Sequence, residues 1–276
     1  MTPRKISWSQ LGVHVWLLLM VFGALYPMYF MLNMSLKSTI QMNYGIFRIT
    51  LPFEWSNYTS SWGQIWRYML NTIAIVFLSG LPMLLFASIT AYVLARYKFP
   101  GSEAIFMSFL GLMMIPGILT LVPQFMWVVK LGLSNTWWAV ILPYIAGGQS
   151  FNMFMLKTFF EGLPEELFEA ARLDGATHLS IWRLIILPLS VPILSTLAIM
   201  HTLSVWNDFV WPLMVLISND IRTISQAVVF LNTTGQFPTP GRAMAGNVLA
   251  SIPLLIMFIF GMRHFISGIT SGAVKL

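Results

Sequence analysis

Long apolar runs alternate with short polar breaks along the chain, and the charged residues mark the breaks. Stretches without Asp, Glu, Lys or Arg cover 6–36, 68–95, 104–129, 131–156, 184–207 and 243–262. Each holds the roughly 20 apolar residues that a helix needs to cross about 30 Å of hydrocarbon. Two other uncharged stretches fail. Residues 209–219 are too few, and 223–241 are interrupted by Asn232-Thr233-Thr234-Gly235-Gln236 and two prolines. The pattern predicts an all-α polytopic membrane protein with six transmembrane helices, near 12–34, 69–94, 104–127, 137–158, 184–206 and 244–264. Together they form one transmembrane domain over 1–276. The apolar run from Val13 to Leu32 is longer than the core of a signal peptide, and no A-x-A site follows it, so the first span is expected to stay uncleaved.

Composition agrees with the pattern. Charged residues make up 9% of the chain and hydrophobic ones 57%, whereas a soluble domain carries about 25% charged residues. A soluble enzyme and a disordered chain are both excluded. The net charge of +6 points to basic loops on the inner membrane face rather than to nucleic acid, because no basic run exceeds Arg4-Lys5. Six spans put both termini on one side. With that side inside, the inner segments hold nine Lys and Arg and the longer outer ones six, so the N-in, C-in orientation is expected. The absence of cysteine removes disulfides, thiolate metal sites and Cys nucleophiles.

The inner loop between spans four and five is the most unusual segment. Five of the nine acids fall between Glu161 and Asp174. Pro164, Glu165 and Glu166 suit the start of a helix, and Gly175 suits its left-handed end. Arg172 stands three residues after Glu169, a spacing for a pair on a helix surface. A second short helix can begin near Thr177 and lead to Trp182. The segment therefore reads as a helix-turn-helix elbow, with Ala170, Ala171, Gly175 and Ala176 at or near its bend.

Glu169-Ala170-Ala171, Asp174-Gly175-Ala176, Ile186-Leu187-Pro188 and Pro192 together resemble the EAA signature of binding-protein-dependent ABC importer permeases. Asn207-Asp208-Phe209, flanked by Trp206 and Trp211-Pro212, and the ending Ser271-Gly272-Ala273-Val274-Lys275 are similar to the MalG-type subunit of carbohydrate importers. The resemblance implies a permease of the prokaryotic inner membrane with no catalytic residue and no cofactor of its own. It implies a second permease subunit, two ATPase subunits that bind ATP and Mg, and an extracytoplasmic solute-binding protein that delivers a sugar or oligosaccharide. Residues 165–180 would be the coupling helix on the ATPase, with Glu169 in polar contact, Ala170 and Ala171 on the contact face, Asp174 and Ala176 beside them, and Gly175 at the bend. The outer loop 207–243 would meet the binding protein. The chain has no G-x-x-x-x-G-K-[ST] loop to cradle a nucleotide, so the driving energy must come from a partner.

Polar residues inside spans must find partners or a wet cavity. Gln149, Asn152 and His201, with Trp206 and Asn207 at a span end, are the candidates for a solute path; helix packing is the competing role for each. Two further classes stay open on the residues alone. An ATP-independent secondary transporter or channel is opposed by the lack of mid-span charges. An intramembrane enzyme is opposed by the lack of HExxH and G-x-S-x-G and by histidines scattered at 14, 178, 201 and 264.

Overall fold

The computed structural model describes residues 8–273, with side chains over 10–261, and these residues are helical without a strand. Four helices are long and apolar enough to cross a membrane: α1 (Trp8–Ser35), α3 (Ser56–Arg96), α6 (Trp138–Glu161) and α13 (Pro240–Ala273). Between them lie α2 (Thr39–Tyr44), the pair α4 (Ser102–Met113) and α5 (Gly117–Lys130), and, after α6, α7 (Glu166–Leu173) and α8 (His178–Ile181). Then follow a π-helical turn at Trp182–Ile186, α9 (Leu187–Leu189), α10 (Val191–Asn207), α11 (Val210–Val215) and α12 (Ile224–Thr233). The ending Ser271–Lys275 lies outside the residues described with side chains.

Two of the expected spans are not straight rods. Residues 104–127 are divided between α4 and α5, which meet at 98°. Pro116 explains the break: it has no N–H to give, and it pushes Ile115 out of helical geometry. The last turn of α4 closes on itself, with Met114 N donating to Gly111 O and Ile115 N to Leu112 O. The segment 184–206 bends by 74° at Ser190, between Pro188 and Pro192. Ser190 turns its hydroxyl onto the Ile186 carbonyl at 2.6 Å, taking up an acceptor near the break. With each bent pair taken as one crossing, the count reaches six.

The described residues form two compact units. One comprises the chain through Trp66 together with Val228–Ile252. Its centre is Lys37, which is 1% exposed and donates to the carbonyls of Gly45 at 2.8 Å and Ile46 at 3.0 Å. Burial pushes the Lys37 ammonium below the ordinary lysine pKa. Asn57 donates to the carbonyls of Ser35 and Lys37, both at 3.0 Å, and Ser61 to that of Arg242 at 2.8 Å. Gly241 fits against this clip so closely that a Cβ there would lie 2.5 Å from Lys37 O and 2.6 Å from Asn57 Nδ2. Ser38 and Gln41 make a reciprocal capping box on α2.

The other unit runs from Arg67 to Ala227 and takes in the residues from Pro253 onward. Glycines let its helices approach. A Cβ on Gly80 would stand 2.9 Å from His201 Cδ2, and one on Gly148 would meet Met83 Sδ. One buried cluster joins α3, α6 and the start of the second bent pair through Tyr92, Phe160, Ile181 and Trp182. A second joins α3, α6 and α11 through Ile75, Val140 and Trp211.

Candidate functional site

The elbow forms for local reasons. Glu165 and Glu166 stand at the positive start of α7, where carboxylates are favoured. The helix ends in a Schellman motif. Ala176 N donates to Ala171 O at 3.0 Å and Gly175 N to Arg172 O at 3.1 Å, and Gly175 takes φ +79°, which a residue without Cβ adopts freely. Thr177 then caps α8, its hydroxyl accepting from Ser180 N at 3.3 Å.

One face of the elbow is fastened to the bundle. Phe168 and Ala171 are buried in the cluster that holds Tyr92, Phe160 and Trp182. Arg96, the last residue of α3, donates to Glu165 at 2.7 Å, to Leu163 O at 2.8 Å and to Phe160 O, and its guanidinium lies 4.0 Å from the Phe168 ring centroid. Next to it, Tyr92 and Tyr97 share a 3.0 Å hydrogen bond, and Tyr97 is bonded to His178. The other face is free. Glu166, Glu169, Ala170 and Asp174 are exposed, as are Leu173 at 89% and Leu179 at 68%.

One pairing differs from the sequence expectation, and one alanine is placed by long-range packing. Arg172 pairs with Glu165 at 2.7 Å rather than with Glu169, because Arg96 draws Glu165 back over α7 and sets its second oxygen within reach. Ala171 lies inside, 9% exposed, since it follows Phe168 by one helical turn and shares its inward stripe. It therefore packs against the bundle, whereas Ala170 is exposed. Ala176 is half-buried.

Arg96→Ala should release the elbow locally. It removes an ion pair, the donor to two carbonyls and a cation over an aromatic face, together about 2 kcal/mol when discounted for the half-exposed Glu165. Amide exchange in α7 should rise at least about tenfold while α3 and α6 stay protected. Unchanged exchange in α7 would refute the clamp.

The polar candidates of the spans are largely engaged with neighbouring helices. Asn152 is buried and donates to Gly148 O at 2.6 Å. Gln149 donates to Met83 O and Ile145 O, both at 3.2 Å. The His201 ring shares a 2.8 Å hydrogen bond with Ser79 and stands edge-on to Tyr144. Trp206 is buried beside a cavity of about 280 Å³, lined also by Phe77, Thr202, Pro253 and Met257. Asn207 is exposed, its amide donating to Leu203 O at 2.8 Å. Sequence reasoning missed Tyr144, which donates to Asp208 at 2.8 Å while Asp208 accepts from Trp211 N at the start of α11. The one signal was Asp208 itself, an acid at the end of an apolar run. Among the described residues no group of acids and histidines could hold a metal ion.

Comparison with known proteins gives consistent results. The chain is 37% identical over 263 residues to an arabinooligosaccharides transport system permease protein, AraQ, of Halalkalibacterium halodurans, covering 92% of each. It is 31% identical to the trehalose transport system permease protein SugB of Mycobacterium tuberculosis, covering 99% of this chain and 98% of that one. Its fold matches a chain of a bacterial ABC transporter that imports the acidic polysaccharide alginate, with a TM-score of 0.82 at 22% identity over 96% and 99% of the two chains. The family described as binding-protein-dependent transport system inner membrane component matches residues 61–271. The chain belongs to that family: it is an inner-membrane permease of an ABC importer, a transport subunit that works with ATPases and a periplasmic binding protein.

Proposed function

We propose that this chain is one of two permease subunits of a carbohydrate importer, and that residues 165–180 couple it to one of two ATPase subunits. The observation that carries the coupling is the two-faced elbow. Phe168, Ala171 and Arg96 fix it to the ends of α3 and α6, while Glu166, Glu169, Ala170, Leu173 and Asp174 stay uncovered. A segment held rigidly on one side and open on the other can pass a partner's movement into the spans. The spans would then move as bodies between inward-open and outward-open states, six crossings with both termini inside. ATP and Mg are held by the partner. The loop 207–243 faces the binding protein in this reading.

The solute class is supported by the relatives, whose names give arabinooligosaccharides, trehalose and melibiose, raffinose and stachyose. In this chain the exposed candidate toward solute is Asn207, with Gln149 and His201 half-buried and Asn152 and Trp206 buried. A path that needs more polar groups draws them from the second permease subunit. The test is uptake of radiolabelled arabino- and malto-oligosaccharides by liposomes carrying the complete complex. Uptake should require ATP on the elbow side and binding protein on the other. Uptake by this chain alone, without ATP, would replace the reading with a secondary transporter or channel.

A further inference from the structure

A cavity of about 290 Å³ lies where α3 and α6 end and α4 begins, lined by Leu94, Ser102, Glu103, Phe106, Met107 and Lys157. Leu94 is two residues before Arg96, the clamp of the elbow, and Lys157 is one turn before Glu161, the end of α6. The cavity therefore sits at the elbow end of the spans, at the level where helices leave the hydrocarbon. We propose that it binds the headgroup of a zwitterionic phospholipid with a primary ammonium, of the phosphatidylethanolamine class.

The Lys157 side chain is only 14% exposed, ion-paired with Glu161, and its Nζ stands 4.2 Å from the Phe106 ring centroid. An ammonium has three donors, so N–H groups remain to meet a phosphate oxygen, and the Ser102 hydroxyl also lines the cavity. Glu103 also lines the cavity with its carboxylate, and no ion pair joins it to a basic side chain among the described residues. The Glu103 carboxylate on the cavity wall disfavours a purely anionic headgroup. Phosphate beside Lys157 and ammonium beside Glu103 satisfy both ends. A quaternary choline has no N–H to donate to Glu103. The remaining walls, Leu94, Phe106 and Met107, are apolar, and the outer side of α4 continues them with Ile105 and Leu112 exposed. A soluble phosphoethanolamine gains nothing from that surface, whereas glycerol and acyl chains run along it.

The complete transporter, held in nanodiscs of equal phosphatidylethanolamine, phosphatidylcholine and phosphatidylglycerol, is released into detergent, and the retained lipid is counted by native mass spectrometry. Wild type should keep phosphatidylethanolamine over the other two, and Lys157→Gln should lower its retention about tenfold, the worth of one charge-assisted hydrogen bond. Glu103→Gln, at an exposed position, should abolish the preference over phosphatidylglycerol. Glu161→Gln breaks the ion pair but keeps the ammonium, and should retain the lipid. Equal retention of the three lipids by wild type, or equal retention by wild type and Lys157→Gln, overturns the proposal. So does loss in Glu161→Gln to the level of Lys157→Gln, or a photoreactive residue at Met107 that joins a partner subunit rather than lipid. Because the readout is bound lipid and not uptake, the result is independent of the coupling assignment.

Discussion

Gly175→Asp should insert and fold normally, yet lose ATP-driven uptake about a hundredfold, the cost of losing an interface hot spot. The two halves of that expectation have separate causes. Within this chain a Cβ at position 175 meets nothing within 4 Å, so no side chain is displaced. The backbone cost of φ +79° is about 1 kcal/mol, and Asp is among the residues that best tolerate the left-handed region. The loss is therefore expected to arise outside the chain, at the proposed docking surface, where the bend would meet the ATPase and a new carboxylate would intrude. Proteoliposome uptake, together with the amount of ATPase that copurifies, separates the two. Normal uptake at equal expression would remove the docking assignment.

The largest loss of stability is expected from the smallest change, Gly241→Ala. A methyl group there would press on Lys37 O and Asn57 Nδ2, and neither can move freely. The carbonyl belongs to the backbone, and the Asn57 amide is committed to Ser35 and Lys37. Overpacking and the loss of these hydrogen bonds together cost about 3 kcal/mol. Gly63→Ala is the control. A Cβ on Gly63 meets nothing within 4 Å, and within a helix alanine is better than glycine by about 0.5–1 kcal/mol. Thermal unfolding in detergent should lower the first variant and leave the second level or raised. Equal midpoints would refute the packing account.

These two glycines show what a sequence can and cannot reveal. Gly175 was legible, because its spacing after a helical stretch rich in acids is a local signal, and so was the Thr177 cap. Gly241 carried none: its constraint comes from Lys37 and Asn57, distant in sequence. The spans were legible from charge-free windows, but the breaks within two of them were not. Pro27, Pro82, Pro143 and Pro253 also lie in span helices and cause no such division. A proline marks a possible kink, and whether the helix breaks there depends on the neighbours that take up the freed backbone groups. In the elbow, the partner of Arg172 was misread because Arg96 is far off in sequence, and the pairing of Tyr144 with Asp208 was hidden for the same reason. Long-range polar pairs leave little trace in one sequence, whereas helix caps and apolar stripes are written within a few residues.

The uncovered face of the elbow also bears on how many copies of this chain a cell keeps. Leu173 and Leu179 stand in water among Glu166, Glu169 and Asp174. If the elbow docks as proposed, an assembled chain hides these leucines and a surplus chain shows them. Exposed apolar surface is what quality-control proteases and chaperones select. Surplus copies would then be cleared until each remaining elbow is covered, so that degradation, and not synthesis, sets the ratio of permease to ATPase.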